Sequence, residues 1–313
     1  MQQAVLSLEN VSKTYGSFTA VDRINLQIPR GSVYGFLGPN GAGKTTTIRM
    51  ILDIIRPTSG RVSILGHESA LAVRQRIGYL PEEKGLYKKM KVDALIAYFA
   101  RLKGLSRRIA EQRARELLKK YGLIEFHNAR IESLSKGMSQ KVQVLAAVAH
   151  EPELIILDEP FSGLDPVNQQ VLEGLIRDLS NNGQTVIFST HIMEHAERLC
   201  DQILLIVGGR KIFDGTVAEA RALISRRVLL ETAGDISGLQ NLNSVVRITP
   251  AEADPGSEPR WLVEIGNNAQ PQDILKYCFD STIPLSRFEY AEPSLHDVFV
   301  DLVGPQAGEQ RLR

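Results

Sequence analysis

Residues 33–47 read Val33-Tyr34-Gly35-Phe36-Leu37-Gly38-Pro39-Asn40-Gly41-Ala42-Gly43-Lys44-Thr45-Thr46-Thr47, and the reading of this stretch decides the fold. Val33 to Leu37 is an apolar run of strand length. From Lys44 onward, Thr45, Ile48, Met50, Ile51, Leu52 and Ile54 read as a helix that stops before Pro57. The turn between them has the spacing Gly38-x4-Gly43-Lys44-Thr45, which is the P-loop pattern. Its glycines let successive N–H groups aim inward, and the helix N-terminus adds partial positive charge, so the bend is a ready anion site. Gly38, Asn40, Gly41, Ala42, Gly43, Lys44, Thr45 and Thr46 are therefore the candidate phosphate cradle. Lys44 is placed to reach the β- and γ-phosphates of a nucleotide, and the Thr45 hydroxyl to ligate Mg²⁺. At ordinary residue frequencies a chain of this length matches the pattern by accident about once in 100. The strand before it and the helix after it cut that further.

The 313 residues suffice for a full core and for two domains, one of them small. Lys and Arg number 37 against 36 Asp and Glu, and a net charge of +1 argues against a general nucleic-acid coat while leaving room for local patches. No apolar run approaches the roughly 18 to 20 residues that span a bilayer, so a membrane role has to work through a partner. Cys200 and Cys278 have no metal-ligand spacing and are too few for a disulfide framework, which suits a reducing compartment. Met1-Gln2-Gln3-Ala4 shows neither a basic nor an apolar leader region, so no export signal is expected.

Ahead of the P-loop, Val5 to Leu8, Thr14-Tyr15 and Ile24 to Ile28 alternate apolar with polar residues and read as antiparallel strands. Tyr15, at the turn Lys13-Thr14-Tyr15-Gly16, offers an aromatic face for an adenine ring, with packing on the sheet as the alternative. After it, Arg61 to Leu65 and Ile77 to Leu80 are further strands, the second ended by Pro81. From about 90 to 150 the pattern turns helical, with Val92, Leu95, Ile96, Phe99 and Leu102 at helical spacing and a charged helix over Arg107 to Tyr121. A third helix is expected over Ser139 to His150, opening just after Leu134-Ser135-Lys136-Gly137-Met138.

Leu154-Ile155-Ile156-Leu157-Asp158-Glu159-Pro160 is an apolar strand closed by two carboxylates, at the edge where open α/β sheets bind ligands. Asp158 is placed to hold Mg²⁺ through its water shell, and Glu159 to orient or deprotonate an attacking water. Ser162 to Pro166 turns into a helix over Val167 to Leu179. The strand Thr185 to Ser189 then ends at Thr190-His191, where an imidazole can touch a γ-phosphate. His191 and His195 stand four apart, but no third ligand accompanies them, which disfavours a metal site. Ile203 to Phe213 is a hairpin, and a helix over Thr216 to Leu223 closes the first domain. The remainder has strands at Val228 to Leu230, Val245 to Ile248 and Trp261 to Ile265, and helices over Pro271 to Phe279 and Leu295 to Leu302. It carries no catalytic motif. Its apolar residues Val228, Leu230, Trp261, Leu262, Phe279 and Phe299 either fill a private core or hold two copies together.

Taken together, Gly38 to Thr46, Leu134 to Met138, Leu157 to Pro160, Leu164-Asp165 and Thr190-His191 resemble, in order and spacing, the ATP-binding subunits of ABC transporters. The match covers about the first 220 residues. Gly78 to Tyr87 and the closing Glu292 to Phe299 narrow the resemblance to the exporter branch that includes NatA-type sodium-efflux ATPases with an extra C-terminal domain.

The resemblance implies a P-loop NTPase of α/β class with an antiparallel β subdomain, an inserted α-helical subdomain and a small α+β accessory domain. The expected bounds are 1–224 for the ATP-binding domain, about 90–150 for the helical insert, 225–304 for the accessory domain and 305–313 for a disordered tail. It implies ATP and Mg²⁺ as cofactors and a homodimer or heterodimer of ATP-binding subunits. It also implies a separate multi-helix permease, a place on the cytoplasmic face of the membrane, and no nucleic acid. On that resemblance Tyr15 stacks adenine and Glu159 and His191 serve hydrolysis. Ser135 and Gly137 cap the γ-phosphate from the other protomer, and Asp165 signals across the dimer. Glu82 stands where the family usually has a glutamine that senses Mg²⁺ and the permease, and Lys136 and Met138 depart from the usual Leu-Ser-Gly-Gly-Gln signature. Lys84, Leu86, Tyr87, Met90, Val92 and Phe99 surround the position that grips the permease in the family. The competing class is a soluble ABC-type ATPase acting on nucleic acid or ribosomes, which usually carries two ATP domains, a coiled coil or a basic arm, none of which is visible here. An ATP-binding regulator is disfavoured because Lys44, Asp158, Glu159 and His191 are all present.

Overall fold

The computed structural model describes residues 4–82, 87–251, 258–266 and 269–304. Two compact units divide the chain, 1–217 and 218–313.

In the first unit, β1 (Ala4–Tyr15), β2 (Phe18–Pro29) and β4 (Ser59–Ile64) form an antiparallel sheet in the order β2-β1-β4. A six-stranded sheet uses β3 (Val33–Leu37), β5 (Ile77–Leu80), β6 (Leu154–Leu157), β7 (Thr185–Thr190), β8 (Gln202–Val207) and β9 (Arg210–Thr216) in the order β5-β6-β7-β3-β8-β9. All neighbours pair in parallel except β8 with β9. Strands β3, β6 and β7 are buried at every position, which is why they read as continuous apolar runs without alternation. The register pairs Leu37 with Thr190, Leu157 with Phe188 and Leu80 with Leu157. With strands about 4.8 Å apart, the loops after β5, β6, β7 and β3 emerge side by side at one edge.

Helices α1 (Lys44–Ile51), α2 (Val92–Leu102), α3 (Arg107–Lys120), α4 (Lys136–Val148), α5 (Pro166–Asn181) and α6 (Met193–Leu199) complete this unit. Two cores hold it. One joins Leu95, Ile96, Leu118 and Leu145 of the helical insert to Ile155, Leu157 and Phe188 of the sheet. The other joins Leu6, Ile24 and Ile28 of the antiparallel sheet to Tyr34, Phe36 and Ile48. Helix α1 stops at Ile51 rather than running on to Ile54, and α4 starts three residues earlier than its apolar pattern suggests because the Ser135 side chain accepts from Met138 N–H and caps it. No helix among the described residues is long and apolar enough to cross a membrane.

After α7 (Val217–Arg221), the second unit has β10 (Arg226–Glu231), β11 (Val245–Ala251), β12 (Arg260–Ile265), α8 (Pro271–Asp280), β13 (Arg287–Ala291) and α9 (Leu295–Val303). Its antiparallel sheet has the order β11-β12-β10-β13. Strand β13 is an addition to the sequence reading. Val228 and Leu230 fill this unit's own core, and Trp261, Leu262 and Phe299 are half-buried, while Phe279 is 83 % exposed. The tail expected from 305 onward lies outside the described residues.

Candidate active site

The loop after β3 is shaped by three close approaches. A Cβ on Gly38 would meet the Ile206 carbonyl at 2.1 Å, and one on Gly43 would meet the Ala20 carbonyl at 2.6 Å. A Cβ on Gly209, in the β8–β9 turn, would meet the same Ala20 carbonyl at 2.7 Å. Gly41 and Gly43 have φ of 77° and 104°, so the chain bends through left-handed backbone that a side chain resists. Helix α1 starts with no side-chain cap and no acid in its first turn. Among the described residues, the N–H groups of Gly41, Gly43, Lys44, Thr45 and Thr46 have no intramolecular acceptor. An uncapped helix end with free donors is a site for a polyanion.

The ammonium of Lys44 is buried beneath this loop, donating to the Gly38 and Pro39 carbonyls at 2.7 and 3.1 Å. Burial pulls its pKa down, while Glu159, whose Oε1 lies 3.4 Å away, pushes it up. Thr45 Oγ1 donates to Asp158 Oδ1 at 3.2 Å, and Ser189 Oγ donates to the same oxygen at 2.6 Å. Ser189 in turn accepts from Glu159 N–H at 2.8 Å, so one hydroxyl on β7 fixes both acidic residues at the end of β6. Burial raises the pKa of Asp158 against those hydrogen bonds, and its Oδ2 is buried with no partner. Glu159 sits at φ 46°, an unusual conformation for a non-glycine, with its Oε2 3.0 Å from His191 Nδ1. A buried carboxylate with a bare oxygen beside a threonine hydroxyl is a donor set suited to a hard divalent cation.

A cavity of about 290 Å³ is lined by Asn40 to Thr46, Glu159 and Glu82, and also by Phe18 and Ala20 of β2. The structure therefore brings Gly38 to Thr46, Asp158, Glu159, His191 and Glu82 together. Tyr15 pairs across the hairpin with Phe18 and is half-exposed with the Lys13 ammonium 5.1 Å from its ring centre, and it is not among the lining residues. Phe18, 63 % exposed, is the aromatic that lines the cavity.

Ser135, Gly137 and Asp165 form a second group. A Cβ on Gly137 would meet the Asn168 side chain at 2.4 Å. Asn168 donates from its backbone and its side chain to Asp165, and these bonds lower the Asp165 pKa while Asp165 caps α5. Lys136 is exposed and lies over Gly163, which has φ 69° and no side chain to obstruct it.

His195 is buried, stacked on Phe161 with ring centres 4.1 Å apart and its Nδ1 3.3 Å from Glu173 Oε1. It thus ties α6, just after His191, to the segment that follows Glu159. No group of three or more His, Cys, Asp or Glu placed to hold a metal occurs among the described residues. Of the residues expected near a permease, Val92 is fully buried in the core, which takes it off the surface. Tyr87 is exposed, and Lys84 and Leu86 lie outside the described residues.

Two family models match, that of ABC transporters over residues 21–162 and that of the DrrA1-3-like ATP-binding protein C-terminal domain over residues 215–303. An uncharacterized ABC transporter ATP-binding protein, YhaQ of Bacillus subtilis (strain 168), is 40 % identical over 301 residues, covering 96 % of this chain and 99 % of the relative. The daunorubicin resistance ATP-binding protein DrrA3 of Streptomyces coeruleorubidus is 36 % identical over 97 % of each chain. The ABC transporter ATP-binding protein NatA of Bacillus subtilis (strain 168) is 39 % identical over 63 % of this chain and 82 % of its own. A dimeric ATP-binding cassette solved in a post-hydrolysis state bound to ADP and Pi superposes with a TM-score of 0.62 at 27 % identity, covering 67 % of this chain and 98 % of that one. The chain belongs to the ABC transporter ATP-binding subunits, in the NatA- and DrrA-like branch with its own C-terminal domain, and is an ATP-binding transport ATPase.

Proposed function

We propose that the chain hydrolyses ATP in a site shared by two protomers and drives export through a separate multi-helix permease on the cytoplasmic face of the membrane. The observation that carries this reading is the row of unpartnered amides at the start of α1, facing Lys44, Glu159 and Glu82 in one cavity. Gly41 to Thr46 hold the phosphates, and Thr45 and Asp158, with Glu82 beside them, hold Mg²⁺, which supplies charge neutralisation on the phosphate oxygens when bound. Glu159 orients the attacking water and accepts its proton, and His191, 3.0 Å from it, faces the γ-phosphate. Without nucleotide, Lys44 is engaged by Glu159. Phosphate oxygens compete for that ammonium and release the carboxylate for its work.

Ser135 and Gly137 cap the γ-phosphate from the partner protomer, and Asp165, tied to Gly137 through Asn168, reports across the dimer. Phe18 shares the base-stacking role with Tyr15. The permease grips an apolar groove of about 420 Å³ lined by Tyr79, Pro81, Tyr87, Phe99 and His150. The expected bounds of 1–224 and 225–304 remain our division of the chain into ATP-binding and accessory domains.

The test is co-purification of the full chain with a multi-helix membrane protein, with ATP hydrolysis by the complex measured for the parent and for Tyr87→Asp. Transport lost with basal ATPase kept supports the docking groove. Equal loss of both, or a tight nucleic-acid complex in place of a permease, overturns it.

A further inference from the structure

Residues 87–150 carry 14 of the chain's 37 Lys and Arg but only five of its 36 Asp and Glu. The near-neutral total thus conceals a cationic helical insert. On the α2–α3 hairpin this charge is arranged around a cleft of about 550 Å³, lined by Asp93, Tyr98 and Arg101 of α2 and by Arg107, Glu111 and Arg115 of α3. Arg107 pairs with Glu111 at 2.7 Å. Arg101, Arg108 and Arg115 make no ion pair among the described residues, and Arg107, Arg115 and Arg101 all lower the Glu111 pKa, so Glu111 serves three guanidiniums while Asp93, the other acid of the cleft, accepts from Ala94 N–H at 2.6 Å. The hairpin also exposes aliphatic side chains between its arginines, Leu102 at 60 % and Ile109 at 50 %. Lys103, between them in the chain, donates inward to the Arg74 and Ile77 carbonyls at 2.8 Å and lines the apolar groove above, so the charged cleft adjoins that groove.

We propose that the α2–α3 hairpin docks on the anionic leaflet of a membrane, with the Arg101–Arg107–Arg115 cleft taking a phosphodiester headgroup and Leu102 and Ile109 entering the headgroup boundary. Guanidiniums supply bidentate phosphate donors, and exposed aliphatics interleaved with arginines suit an interface that is charged outside and apolar within. A single-stranded nucleic acid fits less well. Aliphatics do not stack on bases, and Tyr98 is already packed edge-on against Tyr87 and Phe99, with ring centres 5.7 and 5.6 Å away. The proposal deepens the partner reading above by naming the lipid beside the permease. Its test needs no permease, so either can fail alone.

The experiment is flotation of the purified full chain with vesicles of phosphatidylcholine alone or with about one quarter phosphatidylglycerol. Binding to the anionic vesicles only, weakened by salt, is expected. The triple variant Arg101→Gln, Arg107→Gln, Arg115→Gln is expected to lose roughly 10- to 100-fold in partitioning with ATP affinity unchanged. A control of equal charge change on other exposed arginines, Arg61→Gln, Arg177→Gln, Arg210→Gln, keeps most of the binding. The proposal is overturned by equal binding to both vesicle types, by no binding to either, or by equal loss in the two triple variants. Displacement of the chain from vesicles by single-stranded RNA at matched charge would equally reject it.

Discussion

Helices α1 and α4 both begin at a glycine-containing turn with serine or threonine nearby, yet one start is finished inside the chain and the other is left open. At α1 the amides surround a buried lysine, two carboxylates stand opposite, and the whole is boxed in by backbone from β2 and the β8–β9 turn. At α4 the serine is exposed, its hydroxyl is spent on Met138 N–H, and the lysine beside it points over Gly163 rather than into a pocket. The difference teaches what each end can do alone. On the reading proposed above, the first binds a polyanion by itself, whereas the second, with its serine exposed, would acquire a pocket only when another protomer closes over it.

The largest effect that sharpens this contrast comes from Glu159→Gln. Steady-state ATP turnover should fall roughly 10²- to 10⁴-fold, the range for a lost general base, while equilibrium binding of ATP persists. Unchanged turnover would remove Glu159 from the chemistry. Lys44→Ala comes next, with nucleotide affinity falling about 10- to 100-fold for one charge-assisted contact, for ADP and ATP alike. Ser135→Ala should lower ATP turnover and ATP-driven dimerisation but leave ADP affinity within about twofold, at a cap cost of about 1 kcal/mol. If ADP affinity fell as far as it does for Lys44→Ala, the two helix starts would not be separate sites.

An effect of a different kind, on stability rather than on turnover or binding, concerns the groove proposed for the permease. Burial, then the neighbouring Lys103 ammonium, push the His150 pKa down to about 4, against the hydrogen bond from its ring to the Ile77 carbonyl. Since the unfolded chain titrates near the ordinary value of about 6.5, it binds more protons than the folded chain between those two values. Stability therefore rises with pH from about 4 to 6.5 and is lost on acidification through that window, by roughly 3 kcal/mol from this group. Urea midpoints at several pH values should show a flatter profile for His150→Gln. An unaltered slope would mean that other groups carry it.

The α1 site was legible because its parts are local. Seven residues from Gly38 to Lys44 fix strand end, turn and helix start, and a parallel sheet then sets Asp158 and His191 alongside through strand order alone. What escaped the sequence depends on tertiary neighbours. Ser189 is an ordinary strand residue until β6 and β7 pair, and Asn168 is an ordinary helix residue until Gly137 packs against it. Phe18 lay three residues from the tyrosine chosen for the base, and only the hairpin turn decides which ring lines the cavity. His195 was weighed as a metal ligand from its spacing to His191, whereas burial turns it to a stack on Phe161. Strand β13, five residues with Arg287 and Glu289 on one side, is too short for its alternation to stand out.

The carbonyl of Ala20 has one further implication, for mutational tolerance. Gly43 and Gly209, 166 positions apart, rest on that one oxygen, so β2, the phosphate loop and the β8–β9 turn are dovetailed at a point with no spare width for a methyl group. An alanine at either glycine cannot be absorbed by rotating a side chain, because the obstacle is backbone. If the strand carrying Phe18 and Ala20 yields, the nucleotide cavity that those two residues line widens. Lesions at these two distant positions should therefore both loosen base discrimination, with the Gly43 lesion adding a direct loss of phosphate binding that the Gly209 lesion lacks.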